Sequence, residues 1–364
     1  MYIESIRLDN FRNYEQLEVF FSDRTNILYG ENAQGMTNIL EAAYVGATTR
    51  SHRPVKDKDM IRFGEEEAHI QMQVKKREIG HRIDMHLRKG KSKMVTVDGI
   101  PIHRTSELFG LINIIFFSPE DLSIVKEGPA ERRRFMDMEL CQLSRIYYGN
   151  LAGYNKVLNQ RNALLRTLSF NRSMMDTLDV WDDQLVSYGK RIIEERGNFI
   201  DMLREVVVRV HGEITEGREE IVIRYEPHVT RDQFADVLLD RRDMDLKNAS
   251  TMTGPQRDDI GIYINGRDVR TYGSQGQQRT VALTLKLAEI ELVKRLINDT
   301  PILLLDDVMS ELDGRRRNAL LLTIRDIQTV ITCTGYDDFI RERVSLDRIY
   351  HVENGKLQSR KGNE

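Results

Sequence analysis

YGENAQGMTN, residues 29–38, is one position away from a phosphate-binding loop. The pattern G-x-x-x-x-G-K-[ST] asks for lysine between its second glycine and the hydroxyl residue, and here that position is Met36. The residues on either side decide how far the match extends. TNILYG runs into the loop as an apolar strand, and TNILEAAYVGA leaves it with Ile39, Leu40, Ala43 and Tyr44 at helical spacing. Strand, glycine loop and helix form the context in which such a loop works. Gly30 and Gly35 let successive backbone N–H groups curl toward one concavity, with a helix N-terminus behind it. Thr37 places a hydroxyl where Mg²⁺ takes a ligand. Taken alone, the ten residues read equally well as an ordinary glycine-bounded turn.

Working outward, the N-terminal segment reads as strands (YIESIRLDN, LEVFF). Residues 66–104 alternate apolar and polar, with Asp98-Gly99 as a hairpin turn, which predicts an antiparallel β lobe. LINIIFF, residues 111–117, has the unbroken apolar character of a strand buried on both faces. From about 130 to 166 and from about 178 to 211 the periodicity turns helical. Leu151, Tyr154, Leu158 and Leu165 form one heptad-like seam, and Leu185, Ile192, Phe199 and Val206 a second. SFNRSMMD between them would turn the chain. Two helices of roughly 30 residues would make an arm about 45 Å long, or they fold as a compact helical subdomain. Strand signals return after residue 220 in EIVIRYEP, IGIYING, PILLLDD and TVITCTG. An α/β core is therefore split by a helical insertion, with expected parts 1–115, 116–220 and 221–364.

The 364 residues carry a net charge of −3, so a nucleic-acid partner has to be argued from local patches. Cys141 and Cys333 have neither metal spacing nor a disulfide framework, as in a reducing cytoplasm. No charged-then-apolar leader is seen, and no run approaches the roughly 20 apolar residues that span a bilayer. A cytoplasmic protein without a membrane partner is expected.

Two further stretches bear on the glycine loop. PILLLDD, residues 301–307, is a buried-type strand ending in paired carboxylates. Asp306 is placed to hold Mg²⁺ through water and Asp307 to orient or deprotonate an attacking water; a lone pair of this kind is more often a solvated strand end. Ser310 and Asp313 follow in SELD. In YGSQGQQRTVALTLKLAEIELV, Ser274 and Gly276 open an amphipathic helix, another anion-binding geometry that is also a plain helix cap. Together the stretches occur in the order of ATP-binding-cassette ATPases, in which the serine-glycine helix start of one subunit closes on the nucleotide held by another. The long separation of Thr37 from Ser274, with helices between, argues against a transporter subunit and matches the SMC plan.

The chain resembles the RecF family, bacterial recombination-mediator ATPases of the SMC class. The stretches that carry the resemblance are LDNFRNYEQLEV, GENAQGMTNILEAAY, SHR at 51–53, FFSPEDLSIVKEGPAERRRFMD, TGPQRDDI, GSQGQQR and LLLDDVMSELD. It implies an α/β, SMC-type ATPase head, with a phosphate-loop sheet, an antiparallel β lobe and an inserted α-helical arm. It also implies ATP and Mg²⁺ as cofactors, ATP-dependent homodimerisation, and binding to duplex DNA and to single-strand/duplex junctions. RecR, with RecO, would be a partner in loading RecA at gaps.

Carried over by position, Gly30, Glu31, Asn32, Ala33, Gln34, Gly35, Met36, Thr37 and Asn38 would surround the phosphates. Thr37 and Asp306 would hold the metal, and Asp306 and Asp307 would be the catalytic acids. Arg12 would touch the nucleotide, while Ser274, Gly276, Gln277 and Asp313 would meet the nucleotide of the opposite subunit. FFSPEDL lacks the glutamine usual at that point, which leaves Glu120 or Asp121 near the metal. Thr334 stands where transporters keep a switch histidine. The family pattern has lysine at position 36. Methionine matches its length and apolar stem but neither carries charge nor donates a hydrogen bond, so ATP hydrolysis is expected to be abolished or strongly reduced. The other motifs are intact, which argues against long-standing decay of the site.

Basic runs at Arg50, His52 and Arg53, at Arg132–Arg134 and at Arg315, Arg316 and Arg317 are the candidate DNA contacts. No aromatic residue interleaves them, so backbone contact with duplex is expected over base stacking. A nucleotide-gated scaffold that binds DNA without turnover is the alternative function.

Overall fold

A computed structural model describes residues 1–168, 170, 174–335 and 347–360. Contacts divide the chain into two units, residues 1–121 with 289–364, and residues 122–288.

The first unit opens with β1 (Tyr2–Phe11), β2 (Tyr14–Phe20) and β3 (Thr25–Tyr29), followed by the glycine loop and α1 (Met36–Thr48). Then come β4 (Glu67–Lys76), β5 (Ile79–Arg88), β6 (Met94–Val97), β7 (Ile100–Ile102) and β8 (Ile114–Phe117). The alternation read in residues 66–104 has its physical counterpart in β4. Ala68, Ile70, Met72 and Val74 are buried while the residues between them are less covered. The antiparallel sheet runs in the order β2-β1-β4-β5-β6-β7 and is the expected lobe, with the β6–β7 hairpin turning at Asp98-Gly99. LINIIFF forms a strand only over its last four residues, all buried.

The second unit holds α2 (Ser123–Lys126), α3 (Pro129–Leu143), α4 (Arg145–Leu168) and α5 (Thr177–Thr215). β9 (Ile221–Glu226), α6 (Phe234–Asp240), α7 (Arg242–Asn248), β10 (Asp259–Ile264), β11 (Arg267–Asp268), α8 (Val269–Tyr272) and α9 (Gln275–Ile297) follow, the residues of α9 from Glu289 on being counted with the first unit. The first expected arm helix is broken at Ser144, whose extended backbone (φ −135°, ψ 110°) separates α3 from α4. The second is longer than expected. Its 39 residues span about 58 Å at 1.5 Å each. Leu185, Ile192, Phe199 and Val206 are all buried on α5, as the heptad reading requires, and on α4 Tyr154 and Leu165 are buried. Half of the expected turn SFNRSMMD, residues 169 and 171–173, falls outside the described residues. Residues 221–288, grouped by sequence with the C-terminal part of the head, group by contact with the helices instead, because β9 packs on α5 and β10 on α3.

A buried arginine organises this unit. Arg161 of α4 is wholly enclosed and reaches Asp182 of α5, Asp245 of α7 (2.7 Å) and the Thr251 hydroxyl (2.7 Å). Arg196 of α5 makes a parallel junction with Asp137 and Asp258, each at 2.8 Å.

The first unit is completed by β12 (Ile302–Asp306), α10 (Val308–Glu311), α11 (Gly314–Thr323), β13 (Thr329–Cys333), β14 (Arg348–Glu353) and β15 (Lys356–Arg360). The second sheet runs β15-β14-β3-β13-β12-β8, parallel throughout except for β15. Its strands are apolar because both faces are covered. Parallel pairing brings the C-terminal ends of β3, β12 and β13 to one edge, where open α/β sheets bind ligands.

Candidate nucleotide site

Register alone assembles the acidic end of the site. Asp306 pairs with Thr332, and Cys333 with Tyr29, the last residue before the glycine loop. Across this edge Thr37 donates from Oγ1 to Asp306 Oδ1 at 2.8 Å, joining two motifs 269 residues apart. Thr332 donates to the same carboxylate oxygen at 2.8 Å, and Asp307 N donates to Thr332 Oγ1 at 3.0 Å. Thr332 was not singled out in the sequence. Its place next to the acids follows from the parallel register, which no local pattern reveals. Thr334 lies exposed one residue beyond the end of β13.

Asp307 adopts a left-handed conformation (φ 52°) and one of its carboxylate oxygens, Oδ1, is buried without a hydrogen-bond partner. Burial, and then the neighbouring Asp306 and Glu311 charges, push its carboxyl above the ordinary range against a lowering hydrogen bond from Ser310. A carboxyl so raised suits proton transfer.

The loop itself is held by groups around it. Gly35 has φ 108°, and a Cβ there would stand 2.4 Å from Asn13 Nδ2 and 2.7 Å from the Tyr14 hydroxyl oxygen. A Cβ on Gly30 would lie 2.3 Å from the Val352 carbonyl. Asn13 Nδ2 donates to the Gln34 carbonyl (3.3 Å), Asn38 Nδ2 to Asn13 Oδ1 (2.8 Å), and Asn354 N to Gln34 Oε1 (2.6 Å). Glu31, Asn32 and Ala33 at the loop's tip are exposed, whereas Met36, the first residue of α1, is only 7% exposed.

Arg12, carried over as a nucleotide contact, is committed inside the fold. Its Nε and Nη2 clamp the wholly buried Glu41 of α1 at 2.8 and 2.7 Å, and Nη1 donates to the Asp59 carbonyl at 2.7 Å. Ser51 donates to the same carboxylate, and its oxygen in turn accepts from Arg53 N at 3.0 Å. Burial opposes ionisation of Glu41, yet the Arg12 and Ser51 hydrogen bonds and the Arg12 and Arg53 charges outweigh it and hold the carboxyl below the ordinary range. His52 stacks on Phe116 at 3.9 Å. Ser51, His52 and Arg53 thus pack and brace α1. Asp121 accepts from Ser118 N at 2.7 Å, while Glu120 is exposed.

In the second unit Ser274 and Gly276 are exposed at the start of α9. Ser274 Oγ accepts from Gln277 N (3.2 Å) while Gln277 Oε1 accepts from Ser274 N (2.9 Å), a reciprocal capping box. Asp313, back in the first unit, caps α11 by accepting from Arg316 N at 2.9 Å. Asp258 and Asp259 both pair with arginines. Asp259 takes a two-pronged contact from Arg132 (2.6 and 3.0 Å). That removes Arg132 from the candidate DNA contacts. Arg316 pairs with Asp313 at 2.9 Å and Arg317 donates to the Leu312 carbonyl at 3.1 Å; Arg315 is exposed and Arg53 half-buried.

The family model described as "RecF/RecN/SMC N terminal domain" matches residues 2–358. A protein of Agathobacter rectalis named "DNA replication and repair protein RecF" is 55% identical over 358 residues, 98% of this chain and 99% of that one. A Clostridium botulinum relative of the same name is 44% identical over 98% of this chain and 99% of its own length. Among solved structures, "recombination mediator protein RecF-ATP in RecFOR pathway" superposes with a TM-score of 0.92 at 34% identity, covering 99% of this chain and 97% of that one. The companion RecF-ATPrS structure gives 0.91 at 35%, covering 98% of each chain. An SMC head bound to a ScpA domain shares the fold, with a TM-score of 0.57 at 14% identity over 99% and 98% of the two chains. With its glycine loop and acidic strand end joined on one sheet edge, and with these relatives matching end to end, the chain belongs to the RecF family of SMC-type ATPase-head proteins.

Proposed function

We propose that this chain is an ATP-binding DNA repair and replication protein that dimerises on ATP and binds duplex DNA and single-strand/duplex junctions. The Thr37–Asp306 hydrogen bond is the observation that carries the reading, because it places the phosphate loop and the acidic strand end within one ligand's reach. The loop residues Gly30–Asn38 would cradle the phosphates. Ser274, Gly276 and Gln277, with Asp313, would meet the nucleotide of a second copy. The exposure of Ser274 and Gly276 supports that role, and the hydrogen bonds of Arg12 to Glu41 support a bracing role for it on the loop's helix. ATP in the solved relative supports the choice of nucleotide.

The donor set also fits Mg²⁺. A hydroxyl and a carboxylate, all hard oxygen ligands, converge at Thr37 and Asp306, and Mg²⁺ characteristically takes one or two protein oxygens besides phosphate. No group of three or more His, Cys, Asp or Glu able to hold a metal occurs among the described residues, as expected where phosphate supplies the other ligands. When bound, the ion would neutralise phosphate charge. Asp307, with its raised carboxyl, would orient and deprotonate water.

Met36 favours a second reading, a nucleotide-gated DNA-binding scaffold in which ATP holds the dimer together and turnover is negligible. In either case, RecR, with RecO, is the expected partner in loading RecA at gaps, in the cytoplasm. No helix among the described residues is long and apolar enough to cross a membrane.

The test is the mass of the protein in solution with and without ATP, repeated with duplex DNA over a salt series. A doubling of mass with ATP, and DNA affinity that falls steeply with salt, are expected. A mass unchanged by millimolar ATP, even with lysine at position 36, would overturn the reading.

A further inference from the structure

The capping box at Ser274 does not stand alone. α5 ends in a left-handed turn, with Glu216 at φ 56° and Gly217 at φ 70°, and the Gly217 N–H returns to the Gly212 carbonyl at 2.9 Å. That reversal carries Glu219 back alongside the last turns of α5, just before β9 begins. One oxygen of Glu219 accepts from Gln277 Nε2 at 3.0 Å, and the other meets His211 Nε2 of α5 at 3.2 Å. His211 is wholly buried, and its Nδ1 lies 3.1 Å from the Thr284 hydroxyl, two turns along α9.

The chemistry of the glutamine amide gives this chain of contacts a direction. A carboxylate only accepts, so Glu219 takes the NH₂ end of Gln277 and thereby turns its carbonyl oxygen toward Ser274 N. Without Glu219 only the Ser274 N–H selects the amide's orientation, and each excursion to the flipped form sets NH₂ against N–H, donor against donor, and opens the cap. In the neutral His211 tautomer that donates from Nε2 to Glu219, Nδ1 is an acceptor 3.1 Å from the Thr284 hydroxyl, whose single proton is shared between it and the Thr280 carbonyl at 2.8 Å. Burial favours that uncharged form.

We infer that Glu219 is a positioning residue for the serine-glycine nucleotide contact: with His211 it ties the C-terminal end of the long arm helix to the start of α9, so that the arm sets whether Ser274 and Gly276 are ordered for a partner's nucleotide. The inference rests on the proposed role of Ser274 and Gly276 in dimerisation.

The experiment uses the full chain carrying M36K, alone and with E219A or E219Q added. Three quantities are read: amide hydrogen exchange over residues 274–278 in the monomer without nucleotide, binding of a fluorescent ATP analogue to the monomer, and the ATP concentration giving half-maximal dimer mass. E219A should speed exchange and raise the ATP requirement, each by about tenfold, the loss of one hydrogen bond. Binding to the monomer should stay within about twofold, since the glycine loop is untouched. E219Q, which still offers an acceptor to Gln277, should recover most of both effects. Unchanged exchange at 274–278 in E219A overturns the inference, as does equal weakening of monomer binding and dimerisation, which would indicate general loss of fold. If M36K itself fails to dimerise, the proposed function falls while the exchange measurement still decides whether Glu219 orders the cap.

Discussion

Replacing Met36 by lysine gives the most direct test of the site. Position 36 opens α1, one residue from the Thr37 hydroxyl that bonds Asp306, and its side chain is 7% exposed. An ammonium there would gain a charge-assisted hydrogen bond to phosphate, about 1.5–3 kcal/mol. At 1.4 kcal/mol per tenfold, that is about a 10- to 150-fold lower Kd for ATP. A positioned cation at developing negative charge adds about 10²- to 10³-fold in turnover. Without nucleotide the sign reverses. Lysine would bury its stem as methionine does, but its charged head would lose hydration in an enclosed site. The variant should therefore melt below the parent without ATP and recover when ATP is added, through linkage of binding to folding. Phosphate release at saturating Mg-ATP with duplex DNA, equilibrium dialysis and melting curves with and without ATP measure the three effects. Equal turnover and equal affinity in the two proteins would refute the reasoning.

G35A should lose nucleotide binding and lower the melting temperature, because its φ of 108° and the close Asn13 and Tyr14 side chains leave no room for a Cβ; the strain alone costs about 1–3 kcal/mol. Chemical denaturation across pH tests Glu41. Its folded pKa lies below the ordinary value, so the unfolded chain binds the proton first, and the stability it contributes at neutral pH is lost as pH falls through about 4.3 and on through the lower folded value. E41Q should be less stable at pH 7 and lose less than the parent between pH 6 and pH 4; an identical loss would remove Glu41 from the account. R161A leaves the buried Asp245 without its arginine and should cost about 3–5 kcal/mol in the second unit, measured by urea denaturation.

What was legible in the sequence was local. The period of two in residues 66–104, the apolar run of PILLLDD and the strand–glycine–helix order around Gly30–Asn38 each follow from backbone geometry over a few residues. They gave the lobe, the parallel strands and the motif order. The heptad seam of α5 was equally plain, because a packed helix repeats its apolar face whatever it packs against. The break at Ser144 was not, since no proline or glycine marks it.

Tertiary structure alone decided the partners. Thr332 meets Asp306 only because β13 lies parallel to β12 in one particular register. Arg12, which the resemblance carries over as a nucleotide contact, is bonded to Glu41 of the helix that follows the glycine loop, 29 residues along the chain. Arg132 is drawn to Asp259 across 127 residues. Charge and hydrogen-bonding capacity are written in each residue type, but whether they meet solvent, a ligand or an opposite charge depends on contacts between segments distant in sequence, which no local pattern encodes.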